Sequence, residues 1–286
     1  MRWDWIFVAA ALALHAPAHA QTSVTLNADP IPIIDAEING RPVRLEVDLR
    51  LPDALVLNPA AAERLGVRRV PFAGVAVEID GSARIRGRLA RPRIVFGEED
   101  SRAFTGIFPT PMSARADGLI GPGALPYDVV TIVLGPEPAG AQDIALALPD
   151  ADVWRASAEA GSEAVTLSFD VSRQPTLLNR SATRAFDAAG LITASGELRE
   201  AELVLGLSTQ MQPVENNLSV AGFALGSTLA RTNAPLHGAE EPDAIIVYAD
   251  ADAPPPEITL GRGALAQCAS ISVDRRTRRL TLRCAN

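Results

Sequence analysis

The feature that most constrains this chain is an order of local signals that occurs twice. In the first half the strand-like run "VRLEVD" ends in Asp48, "LPDALVLN" follows, and a helical pattern starts ten residues on at Asn58. In the second half "VTLSFD" ends in Asp170, "RQPTLLN" follows, and a helical pattern starts nine residues on at Asn179. Later in each half comes a glycine segment of one form, "LIGPGAL" at 119–125 and "TLGRGAL" at 259–265, with a strand-like run after it. A repeat on this scale marks a duplicated architecture. The join falls in the Pro-, Gly- and Ala-rich stretch 135–155, so the expected layout is one lobe over 21–140 and a second over 141–286.

Between these landmarks the pattern is that of strands. "PIIDAEI" and "RPVRLEVD" flank Asn39-Gly40, a signal for a type I′ hairpin. "GVAVEID" and "SARIRGRL" form a second hairpin around Asp80-Gly81. "DVVTIVLG", "EAVTLSFD", "AELVLGLS" and "AIIVYAD" are rich in β-branched and apolar residues and read as further strands. The helical pieces, "NPAAAERLG" and "NRSATRAFDAAG", each open on an asparagine suited to an N-cap and close on a glycine suited to the C-terminal cap. Mostly β, with a few short helices, is the expected class.

Residues 5–14 form an apolar run of signal-peptide length, and Ala18-His19-Ala20 is a small-residue cleavage pattern. Residues 1–20 are therefore expected to be a signal peptide, with Gln21 as the mature start; the competing reading is a buried N-terminal helix. No later stretch reaches transmembrane length, so no integral membrane segment is expected in the mature chain.

What is missing narrows the chemistry. The chain has no lysine, which excludes a P-loop lysine, a Schiff base and a Ser–Lys dyad. Beyond residue 20 the only histidine is His237, in the loop-like "NAPLHGAEEPD", and no G-x-S-x-G elbow accompanies it. A surface loop residue is the plainer account of it. No metal-binding loop is visible and no cofactor is expected. The net charge is −8, with arginines interspersed among acids, so no basic face for nucleic acid is expected. Carboxylates are what remain as agents of any chemistry.

Cys268 and Cys284 bracket "ASISVDRRTRRLTLR", in which Ile271 and Val273 alternate on one arm, Leu280 and Leu282 on the other, and residues 274–278 make the turn. The register sets the two cysteines opposite each other at the open end of a hairpin. In an exported chain this predicts a disulfide, worth roughly 3 kcal/mol in the chain-entropy description.

One aspartate per half, each at the end of an apolar strand, resembles the aspartic proteases of the pepsin and retropepsin type. The resemblance covers nearly all of the chain after residue 20. "ING", "RPVRLEVD" and "LVLNPAAAERLGV" are similar to the bacterial retropepsin-like pattern, in which the strand ends in Asp-Thr-Gly. "ADGLIGPGALPYDVVTIVL" resembles that family's hydrophobic-hydrophobic-Gly segment, and "EITLGRGALAQCASISVDRRTRRLTLRC" its C-terminal end. "VEIDGSARIRG" stands where the family has its flap, which makes Asp80 and Gly81 flap candidates. The resemblance implies two pseudo-symmetric β lobes with a cleft between them, and Asp48 and Asp170 as the catalytic pair.

The chain departs from the family at those aspartates. Asp48 is followed by Leu49 and Arg50, and Asp170 by Val171 and Ser172, where the family has Thr or Ser and then Gly. The family's hydroxyl ties the two loops together, and its glycine lets backbone approach the carboxylates. Two close carboxylates that share one proton need that geometry. A guanidinium at position 50 favours the charged form of Asp48. Several readings follow. The first is an exported, periplasmic or secreted relative of the protease without peptidase activity, its cleft holding an extended peptide or protein ligand or serving a structural role. The others are an active aspartic endopeptidase with Asp48 and Asp170 around one water, an envelope scaffold, and an unrelated β protein in which both aspartates only start turns.

Overall fold

The computed structural model describes residues 21–79, 83–203, 207–237 and 254–285. The expected signal peptide, the flap candidates Asp80 and Gly81, and the strand "AIIVYAD" lie outside the described residues. The rest is a mostly β protein of two lobes with a cleft between them and two short α-helices, α1 (Pro59–Arg64) and α2 (Arg180–Ala188).

The first lobe shows why its sequence makes strands. In Ile33–Ile38 and Arg41–Val47 the buried positions alternate: Ile34, Ala36 and Ile38 on one strand, Val43, Leu45 and Val47 on the other. That is the period of a half-buried strand. Asn39 and Gly40 both take positive φ, 54° and 69°, as the expected two-residue turn requires. These strands belong to a nine-stranded sheet, and a second, larger sheet carries most of the other lobe.

The strand order around the two aspartates is the same in both sheets. The short strand Gly118–Ile120 lies parallel to Arg41–Val47 on one side and antiparallel to Ala54–Leu57 on the other. Ala54–Leu57 in turn runs parallel to Phe104–Ile107. In the second sheet Glu257–Gly261 lies parallel to Glu163–Asp170 and antiparallel to Thr176–Leu178. Thr176–Leu178 runs parallel to Thr228–His237. The glycine that ends each central strand is required by close approach. A Cβ on Gly121 would stand 1.7 Å from the Pro52 carbonyl oxygen, and one on Gly261 would stand 2.2 Å from that of Pro175.

A five-stranded sheet joins the two halves. Its order is Ser23–Asn27, Val129–Val133, Cys268–Asp274, Arg279–Cys284 and Gln142–Ala147, so strands from both halves of the chain lie side by side in it. Cys268 and Cys284 are register partners and are joined by a disulfide. Asp274 closes the turn below them by accepting from the N–H groups of Arg276 and Thr277. Among the described residues no helix is long and apolar enough to cross a membrane.

Three local expectations are corrected. Asn58 does not cap α1 with its side chain. Its Oδ1 accepts from the Met112 and Ser113 N–H groups and its Nδ2 donates to the Ser113 and Ala116 carbonyls, so it binds a neighbouring loop instead. Asn179 does cap α2, accepting from the Ala182 N–H at 2.8 Å. "AELVLGLS" is not one strand: Arg199–Glu202 and Ser208–Asn216 are antiparallel partners, and the Leu203 N–H donates to the Leu207 carbonyl at their joint. An apolar run by itself carries no signal of the reversal that this pairing demands. His237 is not in a loop but ends the strand Thr228–His237, in register with Ser208.

Candidate functional site

Asp48 and Asp170 each follow the same local rule. Each stands at the end of a lead-in strand and accepts, through Oδ1, the backbone N–H of the residue two positions on: Arg50 at 3.0 Å and Ser172 at 3.0 Å. This is the turn that aspartate side chains favour. The Asp48 N–H donates to the Ile120 carbonyl at 3.0 Å, which anchors the first loop to its central strand. The residues between, Leu49 and Val171, are buried in the main apolar core. They contribute packing and offer the carboxylates no hydroxyl.

The second contacts differ. Arg50 folds back on Asp48 and makes a fork: Nε to Oδ1 at 2.9 Å and Nη2 to Oδ2 at 2.7 Å. Such bidentate pairs are the strong form of the ion pair. The same guanidinium places Nη1 3.0 Å from Oδ2 of Asp170. One arginine therefore spans both carboxylates. Asp170 also receives the Ser172 hydroxyl at 2.6 Å and Nε of Arg173. Nη1 of Arg50 and Nη2 of Arg173 both donate to the Leu203 carbonyl, and Nη1 of Arg173 donates to that of Glu202. All four carboxylate oxygens have donors, and two cations balance two anions.

Burial makes these pairings consequential. The side chains of Asp48 and Asp170 are 8% and 3% exposed, and that of Arg50 16%. Desolvation pushes the Asp170 carboxyl up, but the charges of Arg50 and Arg173 and the bonds from Ser172 and Arg173 outweigh it and bring the pKa down to about 2. Burial likewise opposes the charge on Arg50, yet the fields of Asp48 and Asp170 hold its pKa above the ordinary arginine value. Glu46, on the same strand as Asp48, is raised: burial dominates over the 2.8 Å bond it accepts from the Ser113 hydroxyl, and the Asp48 charge adds to it.

A cleft of about 650 Å³ opens beside this cluster, between the lobes. Leu51, Val56 and Phe108 line one side, Leu177 and Met211 the other, and Arg50 and Leu203 the floor toward the aspartates. Asp48 and Asp170 are not among the lining residues, because Arg50 stands in front of them. Leu203 packs on the apolar clusters of both sides, and Leu207 joins Leu51, Val56 and Phe108. At the far end Arg155 pairs with Glu257 at 3.7 Å, and the buried Arg231 donates to the Thr209 hydroxyl.

Of the residues singled out from sequence, Asp48 and Asp170 are brought together through Arg50, and Cys268 and Cys284 are bonded to each other in the five-stranded sheet. Arg173 and the Leu203 carbonyl were missed. An arginine two residues after one aspartate and three after the other was the available signal for Arg173; nothing local pointed to Leu203. Among the described residues no group of three or more His, Cys, Asp and Glu side chains is arranged to hold a metal ion.

No protein-family model matches the chain, and no curated protein matches it.

Proposed function

We propose that this is an exported, aspartic-protease-like protein that no longer hydrolyses peptides, and whose cleft holds an extended apolar peptide. The observation that carries the reading is the Arg50 guanidinium set between the two aspartates, 2.7 Å from Asp48 and 3.0 Å from Asp170. Aspartic-protease chemistry needs one carboxyl protonated and a water held between the pair. Here a permanent cation occupies the space between them, and every carboxylate oxygen accepts from a donor that must remain where it is. The pKa of Asp170 near 2 leaves it without a proton at any ordinary pH. The cluster serves instead as a clasp, since Arg50 belongs to the first lobe while Asp170 and Leu203 belong to the second.

The cleft beside the clasp supports the binding half of the reading. Its walls are Leu, Val, Phe and Met, and the volume suits several side chains of an extended segment. The strand Arg69–Ile79 stands at the edge of its sheet and contributes Val75 and Ala76 to the wall, so backbone groups for strand addition lie nearby. The disulfide supports export.

The test pairs the natural protein with Asp48→Asn on a broad peptide library from acidic to neutral pH. Neither should cleave, and apolar peptides should be retained by the natural protein in an equilibrium binding assay. Cleavage by the natural protein that disappears in Asp48→Asn would restore the endopeptidase reading; absence of any retained peptide would leave the clasp without a ligand site.

A further inference from the structure

The strand Arg69–Ile79 breaks its pairing near its start. Arg69 faces Ala90 and Gly74 faces Arg88, so residues 70–73 stand opposite Leu89 alone. Four residues against one make a large bulge, and its sequence is Val70-Pro71-Phe72-Ala73. Phe72 sits at its crest with φ 60°, a left-handed conformation that an aromatic residue rarely takes, and is fully exposed. Val70 beside it is exposed as well. Folding contacts do not reward this arrangement.

Arginines surround the bulge. Arg68 and Arg69 precede it, and Arg88 faces its far end with Arg86 two residues away on the same side of the strand Ala83–Ala90. Arg69, Arg86 and Arg88 line a groove of about 640 Å³ together with Val75, Ile85 and Phe108, and no acidic side chain lines it among the described residues. Residues 64–93 contain eight arginines against Glu78 and Asp80, a balance of +6 within a chain of net charge −8. Of these, Arg69, Arg86 and Arg88 share this groove, Arg68 and Arg91 line a second one, and Arg64 and Arg93 are paired with Asp117 and Asp100.

We propose that this bulge is a docking site for an anionic phospholipid surface, with Phe72 entering the interface and the arginines engaging lipid phosphates. An apolar crest within a cationic ring supplies the two signals that reversible membrane attachment needs. The chain has no lysine, so all of its fixed side-chain cation is guanidinium, the group that meets phosphate in a two-point fork. Because the remainder of the protein is acidic, an anionic surface repels it except through this face, which sets the orientation. A second copy is a poor occupant, since like-charged rings would face each other.

The experiment is sedimentation of the full chain with vesicles of phosphatidylcholine alone or mixed with phosphatidylglycerol. Binding should require the phosphatidylglycerol and weaken as salt rises. Phe72→Asp should lower partition by at least about tenfold, since a buried phenylalanine contributes that much or more. Replacing Arg69, Arg86 and Arg88 together by serine should lower it about 10²-fold, near fivefold per arginine. The apolar N-terminal run is common to every variant, so only differences between variants count. All four side chains are exposed; circular dichroism and an intact disulfide show that the variants fold. Equal partition of all variants overturns the proposal. So does binding to a soluble nucleic acid without vesicle binding, or a Phe72-dependent dimer in place of it.

Discussion

The Asp48 and Asp170 loops start from one plan and complete it differently. Both aspartates close their own turn on the N–H two residues on, behind an apolar residue buried in the core. In the first loop a single residue, Arg50, then supplies the backbone donor, the fork on Asp48 and the bridge to the other lobe. In the second, Ser172 and Arg173 share the work, and Asp170 receives Arg50 in addition. The difference teaches that a strand-end carboxylate met by arginine recurs in both places, whereas the position and number of its donors vary. It also makes the two aspartates unequal: Asp48 depends on one side chain, Asp170 on three.

That inequality gives the largest expected effect. Arg50→Ala leaves Asp48 with no cationic partner in the cluster and removes one from Asp170, so it should cost about 3–5 kcal/mol, the usual result of stranding a buried charge. Arg173→Ala leaves Asp170 with Arg50 and Ser172 and should cost about 1–3 kcal/mol. Urea unfolding with the disulfide intact compares them. Equal costs would mean that Arg50 does not hold both carboxylates.

Acid sharpens the same contrast. The folded-state pKa of Asp170 is about 2, below its ordinary 3.8. A depressed carboxyl stabilises the fold above its unfolded value, and the contribution is lost as pH falls through the folded one. The span corresponds to about 2 kcal/mol. The stability gap between the natural protein and Asp170→Asn should therefore be full above about pH 4 and shrink toward pH 2 by about that amount. A gap unchanged across this range would show that the arginines do not set the Asp170 charge.

Much of this was legible in the chain because it is local. Alternating apolar residues placed the strands around Asn39-Gly40, hairpin register paired Cys268 with Cys284, and the repeated strand–Asp order located both aspartates. The neighbouring Arg50 was expected to act on the charge of Asp48, and it makes a fork on that carboxylate. Its second contact, with Asp170, depends on how the lobes approach each other, and no spacing within one segment encodes that. Leu203 illustrates the same limit. It contributes a carbonyl, a group every residue has, and becomes part of the site only because the hairpin carrying it turns back where a continuous strand was expected. The arginines around Phe72 were invisible for a related reason: a bulge, not a periodicity, collects them.

The two helix-entry asparagines carry the comparison into the smallest expected effect. Both looked like N-caps, and both stand just before a short helix. Asn179 uses Oδ1 to accept from the Ala182 N–H, a bond that a serine hydroxyl reproduces. It also accepts from the Glu257 N–H and donates to the Pro255 carbonyl, of which serine recovers little. Asn58 makes no cap and instead holds residues 112–116 with two donated and two accepted bonds, a set that only a primary amide can span. Serine is therefore a partial replacement in one place and an inadequate one in the other. Asn58→Ser should cost about 2 kcal/mol and Asn179→Ser about 1 kcal/mol, given about 1 kcal/mol for each bond effectively lost. Denaturant midpoints at unchanged slope measure the difference. If Asn179→Ser proved the costlier, the two lobes would differ less than their hydrogen bonds indicate, and the loop at 112–116 would owe its position to packing of Met112 and not to Asn58.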